Sequence, residues 1–78
     1  MSEPTVRKRQ LGGELRRLRE AAGLKLDDVA SGVGMPASKV SRVEKALLGI
    51  KPSDLDALLD FYGVDDAAKR DVLHVIAR

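Results

Sequence analysis

The sequence predicts an all-α fold of five short helices in one small domain. Leucine and valine recur at spacings of three and four residues, which is the period of an α-helix. Glycine or proline stands between most of these stretches, and no stretch alternates between apolar and polar residues as a strand does. A chain of 78 residues has room for one core only.

Composition narrows the class of protein. Hydrophobic residues make up 44% of the chain, as in folded domains, and with one Phe, one Tyr and no Trp the core must be aliphatic. The absence of Cys excludes disulfides and thiolate metal sites, and it fits a reducing compartment. Because no apolar run approaches the length of a membrane span and no signal peptide is recognisable, we expect a cytoplasmic protein without membrane contact.

The first helix is expected at about residues 10–22. Apolar residues at helical spacing run along it: Leu11, Leu15, Leu18 and Ala22. Gly23 then favours a left-handed helix cap, a conformation that glycine adopts without steric cost. The adjacent Gly12 and Gly13 each lower helix propensity by about 1 kcal/mol, although a glycine also lets another chain segment approach closely.

The nine residues before this helix have no apolar period and include Pro4. They end in three basic residues: Arg7, Lys8 and Arg9. We expect residues 1–9 to form a flexible basic arm ahead of a domain that spans residues 10–78. The arm is either an ordinary solvated terminus or a segment that touches DNA phosphates. Residues 1–25 carry a net charge of +4 and the remainder −2, a distribution that suits a one-sided contact with a polyanion.

Two further helices are expected at about residues 26–33 and 36–45, with Gly34 between them. Val40 and Val43 of the second helix lie on one stripe and should face the core. Hydroxyl groups and positive charges occupy the rest of its surface: Ser38, Lys39, Ser41, Arg42 and Lys45. This is either a solvated helix in a small bundle or a helix-turn-helix, whose second helix enters the major groove of DNA.

The last two helices are expected at about residues 54–62 and 66–77. Ser53 is the predicted N-cap of the fourth helix, and Asp65 or Asp66 that of the fifth. Their apolar residues recur at helical spacing: Leu55, Leu58, Leu59, Tyr62, Val72, Leu73, Val75 and Ile76. The fifth helix has more apolar residues than one packed face needs, so part of its apolar surface should be exposed.

No arrangement of residues points to catalysis. His74 is the only histidine, and without Cys it more often packs or hydrogen-bonds than ligates a metal. The glycines form no phosphate-binding loop. We therefore expect neither an enzyme nor a bound metal or cofactor.

Three segments together resemble a known family. They are the stretch from Gly23 to Ala30, the Val33-Gly34-Met35 turn, and the run Ser38-Lys39-Val40-Ser41-Arg42-Val43-Glu44. Over about residues 10–64 the chain is similar to the phage-repressor-like (Cro/C1, or XRE) helix-turn-helix family. The stretch from Pro52 to Val64 and the run from Ser38 to Glu44 are characteristic of one group within this family. The chain most closely resembles that group, the N-terminal domain of WhiJ-like actinobacterial regulators.

The resemblance implies roles for single residues. Those that match base-facing positions are Ala37, Ser38 and Arg42. Those that match positions at the edge of the bases or on the sugar-phosphate backbone are Lys39, Ser41 and Lys45. Arg19 and Glu44 match a pair that ties the first helix to the end of the third.

The chain departs from the family pattern at three places. Leu26 stands where a phosphate-binding Gln is common, and Lys25 replaces the usual Thr or Ser cap before it. The charge of Lys25 can substitute in part at the phosphate. Ala46-Leu47-Leu48 replaces a Gly followed by basic residues that contact phosphate. Each departure removes contacts of the kind that dominate DNA affinity.

The expected function is sequence-specific DNA binding in transcription regulation, with the helix at residues 36–45 in the major groove of double-stranded DNA. Arg42 would donate to a guanine edge, and Ser38 would contact a base or phosphate beside it. Such a small domain reads few base pairs. We therefore expect a homodimer that associates weakly in solution and binds a palindromic site as a dimer. The cytoplasmic protein would then associate with the nucleoid.

The alternative is a protein-interaction module, antitoxin-like or an adaptor, that kept the fold and weakened its DNA surface. The predicted loop before the fourth helix contains three apolar residues: Leu47, Leu48 and Ile50. If exposed together, they would mark a partner site. If they pack onto the core, this support disappears.

Overall fold

The computed structural model describes residues 4–78, and in this part of the chain it contains five α-helices and no strand. The helices are α1 Pro4–Ala21, α2 Leu26–Val33, α3 Ala37–Glu44, α4 Pro52–Phe61 and α5 Ala67–Ala77. The predicted all-α fold is confirmed. None of these helices combines the length and the apolar character needed to cross a membrane.

Two predicted helix starts are wrong, and proline is the reason in both cases. Helix α1 begins at Pro4, so the part of the predicted arm within residues 4–9 is helical, while residues 1–3 lie outside the described residues. Helix α4 begins at Pro52, after an extended Lys51, so that Ser53 lies inside the helix and is not its cap. Proline needs no N–H partner in a first helical turn, and its fixed φ suits that position.

The core is aliphatic, as the composition predicted, with one tyrosine at its edge. Its buried apolar residues are Leu11, Leu15, Val29, Met35, Val40, Val43, Ile50, Leu55, Leu58, Leu59, Tyr62 and Leu73. Val40 and Val43 of α3 are buried as predicted, and so is the whole apolar stripe of α4. Burial of one such large side chain contributes about 1.5–3 kcal/mol.

Helix α3 is positioned by α1 on one side and α2 on the other. Gly34 joins α2 to α3 in a left-handed conformation, with φ of 73°. On the other side, α1 crosses the end of α3 at Gly12. A Cβ atom at Gly12 would lie 2.5 Å from the carbonyl oxygen of Glu44 and 2.6 Å from that of Val43. Only glycine therefore allows this approach.

Helix α5 packs on α1 and α4 through Leu73 and a set of charged side chains. The carboxylate of Asp66 caps it, as predicted, by accepting from the backbone N–H groups of Ala68 and Lys69 at 3.0 and 3.3 Å. Further along the helix, the Arg70 guanidinium lies between the carboxylates of two α4 residues, Asp56 and Asp60.

Candidate nucleic-acid interface

The outer surface of α3 combines small, hydroxyl and basic side chains. Ser38, Arg42 and Lys45 follow one another at spacings of four and three residues, so they lie on one stripe that faces away from Val40 and Val43. All three are exposed. Arg42 makes no ion pair or hydrogen bond with another side chain among residues 4–78. Its guanidinium is therefore available to a ligand.

A cleft of about 480 Å³ opens between the start of α2 and the first turns of α3. Its lining residues are Arg19, Lys25, Leu26, Asp27, Ala37, Ser38 and Ser41. The cleft thus brings together Lys25 and three of the α3 residues that the sequence singled out. It also contains Asp27, a carboxylate in the first turn of α2. At the helix start, the backbone N–H of Lys25 donates to the Asp28 carboxylate at 2.8 Å.

Lys39 does not present a free charge to this surface. Its ammonium donates to the carboxylate of Asp54 on α4 at 2.8 Å, and both side chains are partly buried. This hydrogen bond holds the pKa of Asp54 below its ordinary value. Lys39 therefore has a carboxylate partner within the fold, and its expected place at the edge of the DNA contact stays a prediction.

Arg19 and Glu44, the pair implied by the resemblance, lie together in the structure. The Arg19 Nε and Nη2 atoms donate to the two carboxylate oxygens of Glu44 at 2.7 and 2.9 Å. The third nitrogen, Nη1, donates to the carbonyl oxygen of Leu24 at 2.9 Å. The hydrogen bond to Glu44 raises the pKa of Arg19. This bidentate geometry joins α1 to the last residue of α3 and constrains the angle between them.

The pair lies at the edge of the core, beside Tyr62. The side chains of Arg19 and Glu44 are 12% and 6% exposed. Burial, together with the nearby Glu44 carboxylate, raises the pKa of Tyr62 to about 12. The Tyr62 hydroxyl is buried without a hydrogen-bond partner among residues 4–78. The low exposure of the two side chains strengthens their electrostatic interaction, because the surroundings are less polar than water.

The basic residues before the predicted first helix belong to the first turns of α1. Arg7, Lys8 and Arg9 are all exposed. Lys8 extends toward the connection between α3 and α4, where its Cε atom lies 3.9 Å from the position that a Cβ atom would take at Gly49. Their backbone is helical, so a separate arm does not carry these charges.

The three apolar residues of the α3–α4 connection do not form an exposed cluster. Ile50 belongs to the core, and Leu48 is half-buried against it. Leu47 alone is well exposed, at 65%. The exposed apolar cluster that would mark a partner site is therefore not formed, because two of its three members pack inward, and a protein partner at this connection stays a prediction. Ala46 begins the connection in a left-handed conformation, with φ of 63°.

Two exposed apolar side chains lie on helix α5. Val72 and Val75 are 57% and 49% exposed, and a groove between α1 and α5 continues from Val72 to Ile76. Leu73, another of the apolar residues of this helix, is buried in the core. A substitution at Leu73 would therefore test the core and not an interface.

The chain was compared with protein families, with curated proteins and with solved structures. A family model described as a helix-turn-helix domain matches residues 10–73. No curated protein and no solved structure matches the chain. The family match supports a DNA-binding regulator in general, and among residues 4–78 no group of three potential ligand side chains is arranged to hold a metal ion. The fold, the α2–turn–α3 geometry and a match over most of the sequence agree: the chain belongs to the helix-turn-helix domain family.

Proposed function

We propose that this protein is a sequence-specific DNA-binding regulator of transcription that inserts α3 into the major groove. The observation that carries the proposal is the exposed, unpaired position of Arg42 in the described part of the chain. Its guanidinium lies on the outer stripe of a helix that the Arg19–Glu44 pair orients. An arginine in this position suits bidentate donation to the O6 and N7 atoms of guanine.

The other residues have supporting roles in this proposal. Ala37 is small and lets α3 approach the base edges, while Ser38 contacts a base or phosphate beside Arg42. Sugar-phosphate contacts come from exposed or half-buried polar residues: Lys25, Ser41, Lys45, Arg7, Lys8 and Arg9. Phosphate contacts fix the register of a protein on DNA, and base contacts supply the sequence preference.

The protein acts as a dimer on DNA in this proposal, with little association in its absence. One copy of α3 covers few base pairs, so two copies on a palindromic site increase specificity. The exposed Val72 and Val75 on α5 favour a small apolar contact between copies. We place the protein in the cytoplasm, at the nucleoid when bound. The closeness to XRE and WhiJ-like regulators in particular stays a prediction, as does the absence of a catalytic role.

The test is selection of binding sites from random double-stranded DNA, followed by affinity measurements on the selected site and on its single-base variants. Arg42→Ala should cost about 1–3 kcal/mol on the selected site and relax the preference at one base pair. Arg17→Ala is the matched control, because Arg17 pairs with Glu14 on α1, in the groove shared with α5. An equal loss of affinity on every sequence would make Arg42 a phosphate contact.

The same measurements test the protein-interaction alternative. A module with a weakened DNA surface should bind random-sequence DNA poorly, and its affinity should change little with salt. A DNA-binding regulator should instead show a steep decrease of affinity with salt, because each phosphate contact releases counterions. The exposed Leu47 is the remaining support for the alternative.

A further inference from the structure

Three lysines surround the connection between α3 and α4. Lys45 directly follows α3, Lys51 directly precedes α4, and Lys8 of α1 extends toward Gly49 in the middle of the connection. We call Lys8, Lys45 and Lys51 the lysine surface. The sequence analysis did not predict a role for Lys51, because a single lysine before a proline forms no recognisable motif.

The early start of α1 brings Lys8 to this place. Gly12 contacts the carbonyl groups at the end of α3. Lys8 lies four residues before Gly12, so it is on the same side of α1 and about 6 Å further along the helix axis. The Lys8 side chain therefore reaches Gly49, beyond the end of α3. The first turns of α1 thus add a positive charge to a connection whose central residues, from Ala46 to Ile50, have none.

The charges of the lysine surface are not neutralised within residues 4–78. All three side chains are exposed, and none makes an ion pair there. Lys39 and Lys69 differ in this respect, because their ammonium groups lie 2.8 Å from the Asp54 carboxylate and 3.2 Å from the Glu14 carboxylate. Lys51 lowers the pKa of Asp54 through space, but Lys39 is the residue that donates to this carboxylate. The lysine surface is therefore available to an anion.

The opposite end of α3 has a different charge. There, Lys25 lines the same cleft as Asp27, whose carboxylate makes no ion pair among residues 4–78. A positive and a negative charge in one cleft leave little net attraction for phosphate. The lysine surface, by contrast, continues the stripe of Arg42 through Lys45, three residues later on the same side of α3.

We propose that the lysine surface binds the DNA phosphates that flank the base pairs read by α3, and that it supplies more of the backbone affinity than the cleft at the start of α2. The proposal rests on the proposed function, because it takes α3 to lie in the major groove. It names the DNA backbone as the ligand and gives Lys8 and Lys51 a positioning role without base contact.

The experiment measures affinity for the selected DNA site as a function of salt concentration. Lys8→Gln and Lys51→Gln should each make the slope of log affinity against log salt shallower by about 1. They should weaken binding to all sequences alike and leave the selected sequence unchanged. Lys69→Gln is the matched control at a paired lysine, and Lys25→Gln should have a smaller effect than either test variant.

A second measurement uses duplexes shortened stepwise beside the selected site. The wild type should lose affinity once the flanking phosphates are removed, and the double variant Lys8→Gln/Lys51→Gln, which keeps only Lys45 of the lysine surface, should lose clearly less at that step. If the wild type binds with a steep salt slope while both single variants keep it, the lysine surface is refuted and the proposed function stands. A changed sequence preference in either variant also refutes it. Salt-independent or undetectable binding by the wild type refutes the proposed function itself.

Discussion

Two contacts between helices in this molecule use the same chemistry in different surroundings. Between α1 and α3, Arg19 binds Glu44, and the two side chains are 12% and 6% exposed. Between α5 and α4, Arg70 binds Asp56 and Asp60, and these two carboxylates are 51% and 71% exposed. The first contact also includes the approach of Gly12 to the carbonyl groups of α3, which no side chain larger than hydrogen permits.

The difference shows which helix must be held in one orientation. Removal of one partner from a buried ion pair leaves an uncompensated charge, and an added atom at Gly12 has no space. Solvent and counterions, in contrast, replace a lost partner at an exposed pair. The structure therefore specifies the angle of the proposed recognition helix α3 through contacts that are costly to lose. Helix α5 is attached through apolar side chains, among them Leu73 and Ile76, and through ion pairs whose carboxylates are exposed.

The largest effect is expected at Gly12. Gly12→Ala should destabilise the protein by about 3 kcal/mol, because the new methyl group meets backbone atoms that cannot rotate away. Gly13→Ala is the control, since no atom lies within 4 Å of a Cβ atom there and alanine favours the helix by about 1 kcal/mol. Chemical denaturation measures both. Effects of the same sign at the two glycines would contradict the close approach of α1 to α3.

The Arg19–Glu44 pair should give the next largest effect. In a double-mutant cycle with Arg19→Met and Glu44→Gln, we expect a coupling energy of about 2 kcal/mol, since the bonds are charge-assisted and largely shielded from water. The double variant should keep its helix content by circular dichroism but lose more affinity for the selected DNA than Gly13→Ala does. A coupling of zero would mean that the Gly12 contact alone orients α3.

The family resemblance predicted the Arg19–Glu44 pair, whereas nothing in the sequence predicted the close approach of α3 at Gly12. Periodicity identifies which face of α3 and α4 is buried, because Val40, Val43 and the α4 leucines recur at helical spacing. It cannot distinguish Gly12 from Gly13, since only the position of another helix decides which glycine is needed. The pairing of Lys39 with Asp54 is equally invisible, because the two residues are distant in the chain and meet only in the folded molecule.

Other differences have a local cause. Pro4 is compatible with a first helical turn, but a proline beside a basic run equally favours an irregular arm, and the sequence alone does not decide between them. Ile50 lies in a connection, where apolar residues at irregular spacing give no orientation. Of the proposed interface, the outer stripe of α3 was predictable from the period, whereas the places of Lys8, Lys51 and Asp27 depend on how α1, α2 and the connection pack.

A smaller effect, a gain in stability, is expected at Ala46, which lies two residues after the end of α3. Its φ of 63° is in the left-handed region, which costs about 1–2 kcal/mol for a residue with a Cβ atom. Ala46→Gly removes this cost but makes the unfolded chain more flexible, so the net stabilisation should be about 0.5–1 kcal/mol. Ala68→Gly, on the exposed surface of α5, should instead destabilise the protein by about 0.5–1 kcal/mol. A loss of stability at both positions would contradict the left-handed conformation.

The smallest effect is expected at the exposed α4–α5 contact, and it depends on pH. Hydrogen bonds from His74 and then from Arg70 hold the pKa of Asp56 below its ordinary value of 3.8. A carboxyl group whose pKa is lower in the folded state stabilises the protein above its ordinary pKa, and this contribution is lost as the pH falls through the lower, folded-state value. Asp56→Asn should therefore reduce stability slightly at neutral pH and flatten the loss of stability on acidification below about pH 4.

The stability that the Asp56 contact contributes should depend on salt more strongly than that of the buried Arg19–Glu44 pair. Because Asp56 is exposed, 1 M salt should remove most of the difference between wild type and Asp56→Asn, since the screening length is then about 3 Å. The coupling between Arg19 and Glu44 should change much less under the same conditions, because little solvent reaches that pair. Thermal denaturation at low and high salt measures both. An equal salt dependence at the two contacts would mean that burial does not protect the Arg19–Glu44 pair from screening, which would contradict the difference between the two contacts.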